Sequence, residues 1–504
     1  MVTRLVSAPR IDFANLRREL DLPTQFPLAA QREADDAAAR VQPTLNGTTD
    51  RTDVPFVTID PATSRDLDQA VCLQRREGGY RVLYAIADVS AFVPVGGALE
   101  AETWRRGETI YLPDGKVPLH PFSLSEGAAS LLPGELRPAV LWTIDLDTDG
   151  VTTAARVERA VVRSRAKLDY PAVQAAVDAG TLDDAIALLP ELGRLLQERA
   201  LDRGAINLPI PEQELEPQDG GWRLVLRASL QVEEWNAQIS LLTGAAAAAI
   251  MLKGGLGLLR TMPSPRPEAV AKLRTVAGAL GLEWPATVPV GRMLAGVDPA
   301  SPRGAAFVDQ AAELLRGAGY TAFDGEPPDE PGHGAVGGPY AHVTAPLRRL
   351  ADRYATEVCL SLTEGREVPD WVRERLPALA ELMETSDRRA SAAERGAIDL
   401  AEAVLLSGHI GEEFDAAVLD MDTPRPSQRN DPSLQDSHRD SRPGQDTRPR
   451  GVIAIDEPPV RARCEGRLEL GTRIRVRLTK ADPERRMVLF ERVESVENSE
   501  SVTP

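Results

Sequence analysis

The apolar and polar positions fall into stretches of different period along the chain. Phe13 to Leu20, with Asp12 as its cap, and the Ala-rich stretch Leu28 to Val41 predict two short helices, a small unit over residues 1–45. From residue 46 to about 160 the period drops toward two. Val57 to Ile59, Ala70 to Leu73, and Tyr80 to Val89 behind Gly78-Gly79 predict strands joined by turns. Helical spacing returns over 166–205. There Leu182, Ile186 and Leu189 make one stripe and Leu192, Leu195 and Leu196 a second, with Pro190 ending one helix and opening the next. Arg203-Gly204 closes the second helix, and Ala205 to Leu208 predicts a strand. A long Ala/Leu helix opens at Val232, and two more helical segments lie within 266–330, before a Gly/Pro-rich loop from Gly325 to Gly338. Pro346 suits the first residue of another helix, with Leu347, Leu350, Tyr354 and Val358 on its buried face, and Ala390 to Val404 is helical again.

The pattern changes after Ser407. Gly411 to Leu419 is strand-like, whereas 422–450 is rich in Pro, Ser, Asp and Arg and is expected to be disordered for want of apolar surface to bury. Alternation resumes over Arg461 to Glu491, where Arg473, Arg475 and Arg477 share one face and Ile474, Val476 and Leu478 the other. The expected architecture is α+β or mixed α/β. It comprises the helical unit 1–45, a large mixed body 46–405, a strand-rich unit 406–497 interrupted at 422–450, and a tail 498–504.

Composition narrows the setting. At 504 residues the chain can bury a large core in two or three domains. Cys72, Cys359 and Cys464 lie far apart, with no paired spacing for zinc or a disulfide framework, which suits a reducing compartment. No apolar run reaches membrane-spanning length, Leu241 to Leu252 being only twelve residues, and the N-terminus shows no signal pattern. A cytoplasmic monomer with no membrane partner is therefore expected. The formal charge of −18 argues against a general nucleic-acid coat, so any such contact needs a local basic patch. Val460 to Arg492 supplies one, with ten Lys/Arg against five Asp/Glu.

Two stretches carry candidate chemistry. Asp60-Pro61 ends one apolar run, and Asp66-Leu67-Asp68 precedes another; in an extended chain Asp66 and Asp68 point the same way. Crowded carboxylates without His or Cys suit Mg²⁺, or Mn²⁺, completed by substrate phosphate. An acidic solvated turn is the other reading of the same residues. The second stretch is Tyr340 to Tyr354, where Arg348 and Arg349 are expected in the first helical turn. Cations there oppose the helix dipole, which makes sense if both serve to hold phosphate.

These stretches also resemble the signature of the ribonuclease II (RNB) exoribonucleases. The matching strings are Thr58-Ile59-Asp60-Pro61 with Arg65-Asp66-Leu67-Asp68, and Tyr340-Ala341-His342-Val343-Thr344-Ala345-Pro346-Leu347-Arg348-Arg349. Further blocks follow in order through Ile86 to Val89, Ile110 to Pro113, Ser130 to Leu132, Val232 to Ile239 and Ala392 to Arg395. The resemblance implies an RNB catalytic domain ending in an OB-fold barrel. Its activity would be hydrolytic, 3′ to 5′, on single-stranded RNA. In that family four aspartates hold Mg²⁺; Asp60, Asp66 and Asp68 match three, and Gln69 stands at the fourth. It further implies that Asp68 and Arg348 are catalytic, with Arg349 in support. Tyr111 would stack on the terminal base, Glu233 and Glu394 would contact the last nucleotide, and the arginines at 473, 475 and 477 would bind RNA. Leu208 falls where a second aromatic clamp is expected, and Ala345 replaces the family serine. The stretch before Asp60 is too short for N-terminal cold-shock barrels. Gln69 and Leu208 keep open the alternative of a catalytically weakened RNB-fold RNA-binding or regulatory protein.

Overall fold

The computed structural model describes residues 11–40, 48–218, 221–421 and 449–494. Two helices come first, α1 (Ala14–Glu19) and α2 (Leu28–Arg40). Both lie on the body of the protein. Phe13 and Leu16 are buried against Ala393 and Ala397, and Glu33 accepts the N–H groups of Ala98 and Leu99 (2.9 and 2.8 Å), capping a later helix.

The body is built on a seven-stranded sheet. Its strands are β1 (Thr49–Asp50), β2 (Val57–Ile59), β3 (Gln69–Arg76), β4 (Gly79–Ala87) and, after α3 (Ala98–Arg106) and the hairpin β5 (Ile110–Leu112)–β6 (Gly115–Val117), β7 (Leu136–Asp147), β8 (Thr152–Arg163) and β9 (Ala166–Leu168). They run in the order β1-β8-β7-β4-β3-β2-β9, antiparallel at the centre with parallel pairs at both edges. Along β4, Val82, Tyr84 and Ile86 enter one core, while Leu83, Ala85 and Ala87 enter another on the opposite face. Burial on both faces explains why Val82 to Ala87 reads as an unbroken apolar run.

Helices α4 (Tyr170–Ala179) and α5 (Leu189–Asp202) follow. Pro190 opens α5 as expected, but Leu182 to Leu189 is not a helix; only Asp184–Ile186 forms a single 3₁₀ turn. Pro190 has no N–H for the carbonyl of residue 186, so a helix cannot run through it. Ala205 to Leu208 pairs with no strand, and Leu208 packs among helices of a separate small core. A hairpin, β10 (Glu212–Gln218) and β11 (Gly221–Arg227), leads into α6 (Gln231–Gly254). By length and composition α6 is apolar enough to cross a membrane. In the fold its Trp235, Ile239, Ala247 and Met251 belong to the main core. Strand β12 (Leu256–Thr261) pairs with β13 (Gly319–Asp324) around three helices, one more than expected: α7 (Pro267–Ala279), α8 (Val290–Ala295) and α9 (Pro302–Ala311). The Gly/Pro-rich loop contains a two-residue ladder, β14 (Gly332–His333) with β15 (Gly338–Pro339).

Next come α10 (Leu350–Thr363), α11 (Asp370–Arg373) and α12 (Leu376–Leu406), the last of 31 residues. It leads to β16 (Glu413–Met421), β17 (Arg450–Ile455), β18 (Arg461–Glu465), β19 (Arg473–Asp482) and β20 (Met487–Arg492), which close a barrel in the order β16-β17-β18-β20-β19. The mixed α/β body with a C-terminal OB-like barrel is therefore the architecture found. The expected insertion 422–450 falls almost wholly, and the tail 498–504 wholly, outside the described residues.

Candidate active site

The site forms where the loop between β2 and β3 meets the turn before α10. Strand β2 delivers Asp60, whose N–H donates to the Leu168 carbonyl (3.1 Å), and a turn at Pro61 brings the chain back. Lys167 holds that turn by donating to the carbonyls of Ala62 and Ser64, both at 2.6 Å. Ser130 fixes the return leg, accepting from the Leu67 N–H (3.0 Å) and donating to the Arg65 carbonyl (2.6 Å). Leu67 is thereby buried, as alternation requires, and Asp66 and Asp68 are left to the site.

The three carboxylates differ in their partners. Asp60 is half-buried, and its enclosed Oδ2 has no hydrogen-bond partner. Burial and then the Asp66 charge push its carboxyl up to about 7, against the pull of Lys167 and Arg348. Asp68 is 4% exposed and accepts the Leu347 N–H (2.8 Å); burial holds it well above the usual carboxylate range despite Arg348. Asp66 meets the Lys116 ammonium at 2.9 Å and the Tyr111 hydroxyl at 3.3 Å. Among the described residues no three His, Cys, Asp or Glu side chains close a metal cage. The set is open, oxygen-only and carries an orphaned buried carboxylate oxygen. That fits Mg²⁺, which takes few protein carboxylates and completes its shell with water and phosphate.

The paired arginines lie outside the helix expected to hold them. Residues 346–348 form a turn, Arg349 is the N-cap, and α10 begins at Leu350. The chain at 107–109 imposes this arrangement: the Thr109 N–H donates to the Arg348 carbonyl (2.9 Å) and the Leu350 N–H to the Gly107 carbonyl (3.0 Å). Arg349 is tied to the fully buried Asp352 by two bonds of 2.9 Å each. Arg348 makes no ion pair or side-chain hydrogen bond among the described residues, and its charge acts on both Asp60 and Asp68. His342 is neutral, driven well below its usual range by burial, and its Nδ1 meets the Tyr320 hydroxyl at 2.7 Å.

Tyr111 lies on β5 directly across from Lys116 on β6, and it is 51% exposed. Lys116 joins Asp66 to Glu126 (2.8 Å), and the half-exposed Phe122 ring lies 5.9 Å from its ammonium. Glu394 is exposed on α12, whose Ala393 and Ala397 pack beneath Ile110 and Leu112 of the hairpin. Glu233 is committed locally: it accepts from Arg227 (2.8 Å) and from the Leu230 N–H (3.3 Å) at the start of α6. Gln69 turns to the backbone, donating to the Thr344 carbonyl at 2.5 Å. On β19, Arg473 pairs with Asp456, Arg475 with Glu413 and Asp415, and Arg477 with Glu413 and Glu491. The basic stripe expected from residues 460–492 is thus interleaved with acids, three of which stand outside that window.

Sequence reasoning missed Lys116, Tyr170 and Glu108. Tyr170 is held near Asn236 (3.5 Å) and feels Asp60, Glu233 and Arg348, so it lies between the aspartates and α6. Burial, then Asp387, push the Glu108 carboxyl up to about 7 beside both arginines. Lys116 and Glu108 flank Tyr111 in sequence, and that proximity was the available signal. For Tyr170 the sequence reading carried no such signal.

Comparison with known proteins decides the lineage. Residues 48–361 match the RNB domain, and residues 412–493 match the RNase II-type exonuclease C-terminal S1 domain. The chain belongs to the RNB family. Among RNB relatives, Ribonuclease R of Thermotoga maritima is 27% identical over 439 residues, covering 82% of this chain and 61% of the relative. Ribonuclease R of Escherichia coli is 26% identical, covering 80% of this chain and 52% of its own. The chain thus spans little more than half the length of these relatives. Mycoplasma genitalium RNase R, solved with ribose methylated single-stranded RNA, superposes with a TM-score of 0.79 at 19% identity, over 95% of this chain and 77% of the other. Yeast Ssd1, described as a pseudonuclease, superposes at 0.62 with 16% identity, over 79% and 49%. The RNB fold alone therefore does not decide catalysis.

Proposed function

We propose that the chain is a hydrolytic 3′–5′ exoribonuclease that releases nucleoside 5′-monophosphates from single-stranded RNA, acting as a cytoplasmic monomer with Mg²⁺, or Mn²⁺ in its place. The observation that carries this reading is the uncommitted Arg348 beside Asp60 and Asp68, next to the exposed ring of Tyr111. Asp60, Asp66 and Asp68 would hold the ion. Bound there, it would lower the pKa of the attacking water and neutralise phosphate charge. In the reaction, water oxygen bonds to the terminal phosphorus and the bond to the 3′-oxygen of the preceding nucleotide breaks. That oxygen leaves as a hydroxyl, and the terminal nucleotide keeps the phosphate. Arg348 stabilises the charge that builds on the phosphate oxygens. Tyr111 offers its ring to the terminal base, a contact of about 1–3 kcal/mol that tolerates any base. Glu394, exposed on α12 beside the same hairpin, would contact the last ribose, whereas Glu233 is paired with Arg227 and has no direct reach to the nucleotide.

The alternative is an RNB-fold RNA binder with weakened catalysis, favoured by the missing fourth carboxylate at Gln69. One experiment separates the two. Incubating the protein with 5′-labelled single-stranded RNA should yield a shortening ladder and 5′-monophosphates with Mg²⁺ and neither with EDTA. Asp68→Asn should abolish the ladder while gel-shift binding persists. RNA that stays intact with Mg²⁺ yet still shifts on a gel would establish the binder instead.

A further inference from the structure

Gln69 occupies the position where the family signature has an aspartate, and its side-chain amide bonds the protein backbone. The backbone of Gln69 is fixed as the first residue of β3, paired with Ile86. Its amide nitrogen contacts the Thr344 carbonyl oxygen at 2.5 Å. A carbonyl oxygen only accepts, so the amide must present its nitrogen there. The next contact belongs to the neighbouring residue: Asp68 accepts the Leu347 N–H at 2.8 Å. Asp68, just before β3, and Gln69, its first residue, therefore grip the 344–347 backbone at two points, one accepting and one donating. From the far side Asp352 accepts the Ala345 N–H (2.6 Å), and the Ala345 carbonyl accepts the N–H groups of Arg348 and Arg349 (3.2 and 2.9 Å). Arg348, the one arginine of the pair without a side-chain partner among the described residues, is carried on this backbone.

We propose that Gln69 is a positioning residue, a brace that sets the Arg348 turn against the aspartates through the Thr344 carbonyl, and is not a metal ligand. The inference rests on the exoribonuclease reading above for its kinetic arm only. It makes the departure from the family signature a requirement of this chain. An aspartate at 69 is one methylene shorter and acceptor-only, so it can neither reach nor donate to the Thr344 carbonyl. Restoring the family carboxylate should therefore harm this enzyme.

The test compares wild type with Gln69→Asp and Gln69→Met, the second keeping side-chain length without a donor. For each, kcat and KM on single-stranded RNA are measured, and Mn²⁺ is titrated calorimetrically into the RNA-free protein. Both variants should lose roughly tenfold to a hundredfold in kcat, because the phosphate clamp is displaced. Their KM should change by no more than about twofold, since ground-state grip lies elsewhere. Mn²⁺ affinity of Gln69→Met should equal that of wild type. Gln69→Asp turning over as fast as wild type, or Gln69→Met keeping full kcat, would overturn the brace. So would weakened Mn²⁺ binding by Gln69→Met, which would make the amide a ligand. If wild type itself shows no turnover, the exoribonuclease reading fails, and the Mn²⁺ titration still decides whether the amide ligates.

Discussion

Arg348 and Arg349 are adjacent and chemically identical, yet their surroundings give them opposite duties. Arg349 meets Asp352, which is wholly buried and also accepts the Ala345 N–H. Removing the guanidinium leaves a buried carboxylate without its cation, a change that costs about 3–5 kcal/mol. Arg348 supports no such pair. Arg348→Ala is therefore expected to lower kcat by about 10²–10³-fold, with stability changed by no more than about 0.5 kcal/mol. Arg349→Ala should mainly lower the denaturant midpoint. Urea melts and turnover measured on the same two variants check this split, and equal destabilisation by both would contradict it.

At the scale of elements, the site is held by short segments rather than by long ones. The β5–β6 hairpin sets Tyr111 and Lys116 side by side on Asp66, and α12 supports it from beneath with Ala393 and Ala397. Strand β19 shows the same dependence on neighbours. Its arginines are exposed or half-exposed and paired with carboxylates from β16, β20 and Asp456. Exposed ion pairs contribute only about 0–1 kcal/mol, so phosphate can displace them at small cost. If the row receives RNA, replacing Arg473, Arg475 and Arg477 together by Ala should flatten the dependence of log Kd on log salt by about 2, at roughly 0.7 per lost phosphate contact. An unchanged slope would place RNA elsewhere on the barrel.

At the scale of the whole molecule, α12 ties the catalytic body to the barrel, and Glu402 sits at the junction, 4% exposed. Its Oε1 accepts from Gln213 on β10 (2.9 Å) and from the Arg461 N–H on β18 (3.0 Å). Burial raises its carboxyl from 4.5 to about 7. Between those values the folded protein keeps a proton that the unfolded chain releases, so stability falls as pH rises through this window. The loss attributable to Glu402 is about 3 kcal/mol at most. Glu402→Gln keeps both accepted bonds and cannot titrate. Its stability advantage over wild type should grow from pH 5 to 7 and then level off, as read from denaturant midpoints across that range. A difference that does not vary with pH would show that the group is ionised in the fold.

The sequence by itself determined those features that rest on local chemistry or period. The three aspartates, the arginine pair, the strand β4 and the alternating barrel strands were legible because the strand period places side chains without knowledge of partners, whereas α10, read as one apolar face, is buried on every side. Even the start of α5 could be read, since proline acts through its own ring. What the tertiary structure alone decided were matters of partnership. The arginines left the first turn of α10 because residues 107–109 pair with that backbone. Leu208 joined a helical core instead of a strand, and the basic stripe gained acids from strands distant in sequence. The roles of Gln69 and Lys116 depend on Thr344, Asp66 and Glu126, and no periodicity shows which distant groups a side chain will meet. An ion pair or a backbone brace needs atoms within about 3 Å, and only folding brings residues 69 and 344 that close.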